Sequence, residues 1–145
     1  MSDFSTRAQE AARRYIEHMG CAVLDTAYKL PNGKQIDIVA NEGNELVFIE
    51  VKARRDADKG FPSEAMSKRK REAMEAAAIS WLKDHASSFV DMMIRFDVIS
   101  LLVLAENRAI IRHCKGVMNG LAYPDADETV DIGAAKEPML ACATA

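Results

Sequence analysis

The chain is poor in the residues that most often announce chemistry or a special compartment. Its three cysteines, Cys21, Cys114 and Cys142, are widely spaced with no C-x-x-C pair, which argues against a disulfide framework or a zinc ribbon. One of its three histidines, His113, sits beside Cys114, but neighbours on a strand point to opposite faces, so the pair reads as structural rather than as a metal site. No stretch approaches the roughly 18 uninterrupted apolar residues of a membrane span, and the opening MSDFSTRAQEAARR lacks the apolar segment of a signal peptide. The expectation is a soluble, cytoplasmic protein with no membrane partner and no small-molecule cofactor.

Positive charge is also scarce overall: 19 Lys and Arg stand against 22 Asp and Glu, a net of -3. At face value this opposes a nucleic-acid partner, but the charge is unevenly spread. From Pro124 onward Lys136 alone faces Asp125, Asp127, Glu128, Asp131 and Glu137, a net of -4 that leaves residues 1–123 at +1. Between residues 50 and 72 eight bases face five acids, concentrated in KARR and KRKR. Local potential rather than net charge decides whether a phosphate backbone is attracted. Apolar residues, by contrast, make up 49% of the 145, enough for one ordinary core and too few for two. One domain is expected over residues 1–123, followed by an acidic, weakly structured tail over 124–145.

Within that domain, Ala8, Ala11, Ala12, Tyr15, Ile16 and Met19 recur at steps of three and four and predict a helix stopped by Gly20. CAVLDTAYKL, QIDIVA and ELVFIEVKA follow as three strands, joined by the turn signals PNGK and NEGN. A second helix is predicted from a Ser63 cap with Glu64 in its first turn to about residue 85. Its apolar stripe is Met66, Ala73, Met74, Ala77, Ala78, Trp81 and Leu82, with KRKR opening the other face. RFDVISLLVLA and NRAIIRHC complete the pattern as two more strands, the first apolar enough to be central. Helix, three strands, helix, two strands implies an α/β sandwich around a mixed sheet.

The charged residues of QIDIVANEGNELVFIEVKARR need a reason, because they interrupt two apolar strands. If NEGN is a four-residue loop with Ala40 opposite Glu45, Asp37 falls opposite Phe48 and Gln35 opposite Glu50. Gln35, Asp37, Glu50 and Lys52 then share one face. Asp37 and Glu50 would be diagonal neighbours about 7 Å apart at the backbone, within side-chain reach of one point. Two converging carboxylates suit a hard cation such as Mg²⁺, held with waters and a backbone carbonyl. Lys52 beside it would orient water or stabilise charge on a phosphoryl oxygen. The competing reading is a solvated strand face with ordinary Glu50 and Lys52 surface pairs.

An Ile-Asp strand, a short turn and a strand ending Glu-x-Lys resemble the PD-(D/E)XK nuclease superfamily. The longer order of RRYIEHMG, NGKQIDIVANEGNELVFIEVKARR, KGFP, a Lys-rich helix and RFDVI is similar to the bacterial YraN family of uncharacterised proteins (UPF0102). That resemblance covers roughly residues 7 to 121. It implies a restriction-endonuclease-like three-layer sandwich with a mixed central sheet of about five strands flanked by helices. It implies a metal-dependent nuclease site as well. Asp37, Glu50 and the Val51 carbonyl would hold Mg²⁺ or Mn²⁺, with Lys52 positioning water at a phosphodiester of DNA or RNA, the expected substrate being structured, branched or single-stranded. The chain departs from the family pattern where Gly-Glu-Ile-Asp is replaced by Lys34-Gln35-Ile36-Asp37. It departs again in the first helix, where Gln9 takes the place of a glutamate and Glu10 lies about 100° around the axis.

Arg54, Arg55, Lys59 and the run Lys68, Arg69, Lys70 and Arg71 are candidates for a phosphate-tracking surface. Their alternative is a solvated helix face with pairs such as Lys68 and Glu72. Asp97 is expected to be buried against Arg95 or a backbone donor, and Trp81 to be core. His18 and His85 lie near helix ends and have no partner that would make either a catalytic base. Three functions stay open at this point: a nuclease, a nucleic-acid-binding protein of the same fold that does not cut, and a structural or adaptor protein.

Overall fold

The computed structural model describes residues 3–55, 57–62, 66–89, 91–119 and 128–131. Helix α1 (Asp3–His18) leads into strands β1 (Ala22–Lys29), β2 (Gln35–Glu42) and β3 (Glu45–Arg54). Helix α2 (Lys68–Phe89), then β4 (Met93–Ala105), β5 (Arg108–Cys114) and β6 (Glu128–Asp131) complete the order. The six strands form one sheet in sequence order. Only β3 and β4 run parallel, and α2 is the crossover that a parallel pair requires. The expected α/β order therefore holds, with one addition. Glu128–Asp131, inside the stretch expected to be weakly structured, pairs antiparallel with β5 at the sheet edge. Its alternating Glu-Thr-Val-Asp suits an edge strand, and tail-wide composition concealed those four residues. The Ser63 and Glu64 cap lies outside the described residues.

Each helix covers one face of the sheet. Ala11, Ala12, Tyr15 and Ile16 of α1 pack on Ile38, Ala40, Val47, Ile49, Ile99 and Leu101. Ala77, Ala78 and Trp81 of α2 pack on Val39, Leu46 and Phe48. The central strands β3 and β4 are thus apolar on both faces, and the fold is a three-layer sandwich. No helix among the described residues is long and apolar enough to cross a membrane.

Local chemistry sets where the helices begin and end. The Gly20 N–H donates to the Glu17 carbonyl and the Cys21 N–H to the Ile16 carbonyl. With Gly20 at a φ of 97°, this is a Schellman stop. Met19, expected on the buried stripe, falls in that cap and is exposed. At the start of α2, Ser67 Oγ accepts from the Lys70 N–H at 3.1 Å, the geometry of an N-cap. The helix that follows has no acid in its first turn, so four cations sit at its positive end, where they oppose the helix dipole. Ser67→Ala should cost about 1 kcal/mol, read as a lower urea midpoint at unchanged m-value.

The hairpin between β2 and β3 is tighter than NEGN suggested. Glu42 pairs with Glu45, leaving a two-residue turn whose first residue, Gly43, has a φ of 59°. A positive φ at that position is what a type II′ hairpin turn demands, and glycine meets it without strain. The register is therefore shifted by two residues from the expected one, and a shift of two preserves which side chains share a face.

Candidate functional site

At its far end the same hairpin opens. The β2–β3 ladder stops at Ile38 opposite Ile49. Beyond it, Asp37 Oδ2 accepts the Val51 N–H at 2.8 Å, so a side chain replaces the ladder bond that a main-chain carbonyl would make. Ile36 and Ile38 would share a face in a regular strand. Instead they pack in opposite layers, Ile36 under α2 and Ile38 under α1. The strand is irregular at Asp37, between them. Across from it on β1, Ala27 has a φ of 50°, a left-handed conformation that costs a non-glycine residue roughly 1–2 kcal/mol. Strain of this kind collects where the backbone must re-aim a side chain.

The result is that Asp37 borders a cleft on each side of the sheet. On the α2 side it borders a cleft of about 470 Å³ with Gln35, Glu50, Ser67, Arg69 and Lys70. On the α1 side it borders a second cleft, of about 410 Å³, with Gln9, Lys29, Gln35 and Val51. Gln35 Nε2 donates to Asp37 Oδ1 at 2.9 Å, and Gln9 Nε2 donates to the Asp37 carbonyl at 2.6 Å. The Gln35 and Gln9 amides are thus both directed at Asp37. Gln35 was expected opposite Glu50. The two-residue turn displaces that register, whose ladder ends at Ile38 and Ile49; on the other edge of β2, Gln35 pairs with Lys29 of β1.

Glu50 is nearly buried, and its Oε1 holds the Lys70 Nζ at 2.5 Å. Its Oε2 is fully buried and has no hydrogen-bond partner among the described residues. A buried carboxylate oxygen in that condition is costly and calls for a cation or water. Lys52 is half-buried on the Glu50 face of β3, beside Ser100 in the parallel ladder. It is not among the residues lining either cleft.

The remaining candidates divide. Arg69 and Lys70 border the cleft, whereas Lys68 reaches Glu72 at 4.0 Å in full exposure and Arg71 is exposed. Arg54 Nη1 donates to the carbonyls of Lys59 and Gly60, so this guanidinium ties down the loop after β3. Lys59 is exposed beside it. The Arg55 guanidinium lies 4.2 Å from the Phe4 ring centroid. Glu10 is engaged by Arg13 and Arg14, and its hydrogen bond from Arg13 holds its carboxyl below the usual value against the opposing effect of burial. It lines a hollow with Thr6, Gln9 and Thr26 that shares Gln9 with the α1-side cleft, and Glu10 itself is not among the residues of either cleft at Asp37. Sequence reasoning passed over Phe4 and Lys29, which no motif marks. It also counted Lys70 as a phosphate contact without seeing its partner, because a pairing across 20 residues leaves no periodic signal.

A second polar cluster lies at the other end of the sheet. Asp97, fully buried, accepts from Arg95 Nε and Nη2, both at 2.9 Å, from His113 Nε2 at 2.7 Å and from the Gly116 N–H at 3.0 Å. Arg95 continues to Glu42 and Glu45. Tyr15 packs edge-on against His113. Asp97 is thus buried against Arg95, as expected, and holds the fold rather than the cleft.

Among the described residues no three His, Cys, Asp or Glu side chains gather as a metal site. Fold and cleft together define a three-layer α/β sandwich in which two carboxylates, at a splayed hairpin, meet the basic end of a helix. The model of the uncharacterised protein family UPF0102 matches residues 8–101, which span α1 to the middle of β4 and include Asp37, Glu50, Lys52 and Lys70. A UPF0102 protein of Geobacter sulfurreducens is 34% identical over 117 residues, covering 81% of this chain and 88% of that protein. One from Pelotomaculum thermopropionicum is 36% identical over 100 residues, covering 69% and 81%. One from Acidothermus cellulolyticus is 32% identical over 116 residues, covering 74% and 87%. The chain belongs to the UPF0102 family.

Proposed function

We propose that this protein is a divalent-metal-dependent nuclease that hydrolyses phosphodiester bonds in DNA or RNA. The observation that carries the reading is that Asp37 and Glu50 line one cleft, where Glu50 Oε2 is buried with no hydrogen-bond partner among the described residues. The donor set fits Mg²⁺ or Mn²⁺. Each Asp37 oxygen accepts one N–H bond and keeps a second acceptor site. Mg²⁺ is commonly held by one or two carboxylates, with waters and substrate phosphates completing its shell. When bound, such an ion supplies Lewis-acid polarisation and a more acidic bound water.

The protein's own residues supply the rest. Asp37 and Glu50, with the Val51 carbonyl, would hold the ion and through it the reacting phosphate. Lys52 orients water or opposes charge growing on a phosphoryl oxygen. Lys70 and Arg69, with the cap N–H groups at Ser67, attract the phosphate to the start of α2. With Gln35 and Gln9 neutral, the site carries less negative charge than four carboxylates would. Metal affinity is accordingly weak until nucleic acid contributes its phosphates. The cytoplasm suits the buried free thiols of Cys21 and Cys114. Desolvation, reinforced by Glu42, pushes the Cys21 thiol up to about 11, so it stays protonated and inert at neutral pH.

One observation favours a second reading, nucleic-acid binding without cleavage: Lys70 already provides Glu50 with a cation. Incubating the protein with labelled single-stranded, duplex and branched DNA and with RNA, in Mg²⁺, Mn²⁺ or EDTA, separates the two. The nuclease reading expects metal-dependent products and a loss of roughly 10²-fold in Lys52→Ala. Salt-sensitive binding with no product in either metal leaves the binding reading. Products that persist in EDTA or at full rate in Lys52→Ala defeat the proposed site.

A further inference from the structure

The clefts on the two sides of Asp37 are not isolated. The α2-side cleft and the α1-side cleft share Gln35 and Asp37. The α1-side cleft in turn shares Phe4 and Ala8 with a third, of about 340 Å³, that adds Arg7, Arg55 and the β4 end at Leu104. The shared residues set the three side by side along one line. It starts at the basic first turn of α2, crosses the open end of the hairpin at Asp37, and ends at the first turn of α1. Cations recur along it: Arg69 and Lys70 at one end, Lys29 in the middle, Arg7 and Arg55 at the other. At the far end the Arg55 guanidinium lies over the Phe4 ring, and Arg55 is exposed.

We infer that this path is a track for a single strand of nucleic acid, with one base stacked on Phe4. The inference deepens the nuclease reading and rests on it for the chemistry at Asp37. Shape selects the strand. The path passes from one face of the sheet to the other around its end, where a duplex would have to bend sharply, at a cost of order 1–6 kcal/mol for about 40–90° over roughly 20–30 base pairs. A single strand bends at every nucleotide. Phe4 gives the second selection, because a base can stack on an aromatic ring only when it has left its own helix. Arg55, exposed and displaced from the Phe4 ring by a base that stacks on that face, then contacts the neighbouring phosphate. The basic start of α2 holds the backbone on the other side, and the bond between these anchors lies at Asp37 and Glu50. The substrate class is therefore single-stranded nucleic acid, including the unpaired arm of a branched structure.

Binding can be measured apart from cleavage. Fluorescence anisotropy in EDTA and low salt, with a fluorescein-labelled thymidine oligonucleotide and a blunt duplex of equal length, uses the full chain and four proteins: wild type, Phe4→Ala, Phe4→Trp and Arg69→Ala. Phe4→Ala should weaken single-strand binding by roughly 5- to 150-fold. Duplex binding and the circular dichroism spectrum should not change. Phe4→Trp should bind the strand as well as wild type or better, and Arg69→Ala should weaken both ligands alike. An unchanged single-strand affinity in Phe4→Ala, an equal loss on the duplex, or no binding of the strand by wild type overturns the track. Binding as expected with no product in Mg²⁺ or Mn²⁺ overturns the nuclease reading alone. Metal-dependent cleavage that Phe4→Ala leaves untouched overturns the track alone.

Discussion

Asp97→Ala should destabilise the protein by about 3–5 kcal/mol, the cost of breaking a buried charge network by removing one partner. Nothing in the cleft changes; what changes is the anchor that joins α1, β4, β5 and the β2–β3 hairpin. Without the carboxylate, His113 Nε2, the Gly116 N–H and two Arg95 donors lose their acceptor. Arg95 keeps Glu42 and Glu45, which sets the loss below that of a fully stranded charge. A urea titration with unchanged m-value checks the number. The same carboxylate predicts an acid limit. Burial alone would raise its pKa, but the hydrogen bonds from His113 and Arg95 outweigh burial and hold it below the ordinary 3.8. A folded value below the unfolded one means the contribution is complete above about pH 4 and is lost as pH falls through the folded value. Wild type should therefore lose stability below about pH 4, and Asp97→Ala should show a shallower acid slope. Equal slopes in the two proteins would show that Asp97 is not the titrating anchor.

How much of this was legible beforehand follows from the range of each interaction. Alternation along β3 is local, so it correctly placed Glu50 and Lys52 on the face of Leu46 and Phe48. The turn is also local, yet NEGN admits two loop lengths, and the shorter one moved Gln35 away from Glu50. A shift of two residues by itself preserves facing, so the common face holds along the paired part of the hairpin, but it does not extend past the break to Gln35. The break in β2 at Asp37 could not be read from the pattern: Ile36 and Ile38 look like one apolar face, and the switch between layers appears only once both helices are in place. Ser67 caps α2 as described, while the Ser63 expectation lies outside the described residues. Asp97 was readable because Arg95 is two residues away on its own strand. His113, 16 residues on, completes the cluster through strand pairing, which composition cannot show.

The break at Asp37 is also what makes this residue the most informative one to change in the cleft. Asp37→Asn keeps the size of the side chain and one good acceptor, so either Val51 or Gln35 retains its bond and the hairpin end should persist. The charge is lost. Metal coordination contributes several kcal/mol to stabilising a phosphoryl-transfer transition state, and each 1.36 kcal/mol is tenfold in rate. Metal-dependent cleavage should accordingly fall on the order of a thousandfold. Two further readouts distinguish loss of the ion from loss of structure. Mn²⁺ binding followed by electron paramagnetic resonance should weaken in Asp37→Asn with nucleic acid present, because Glu50 alone is then left to hold the ion. Single-strand affinity in EDTA should hold or rise slightly, since one negative charge has left the path of the phosphates. Weaker strand binding in EDTA would mean that Asp37 shapes the hairpin end more than it holds a cation. Cleavage at the wild-type rate would remove Asp37 from the chemistry altogether.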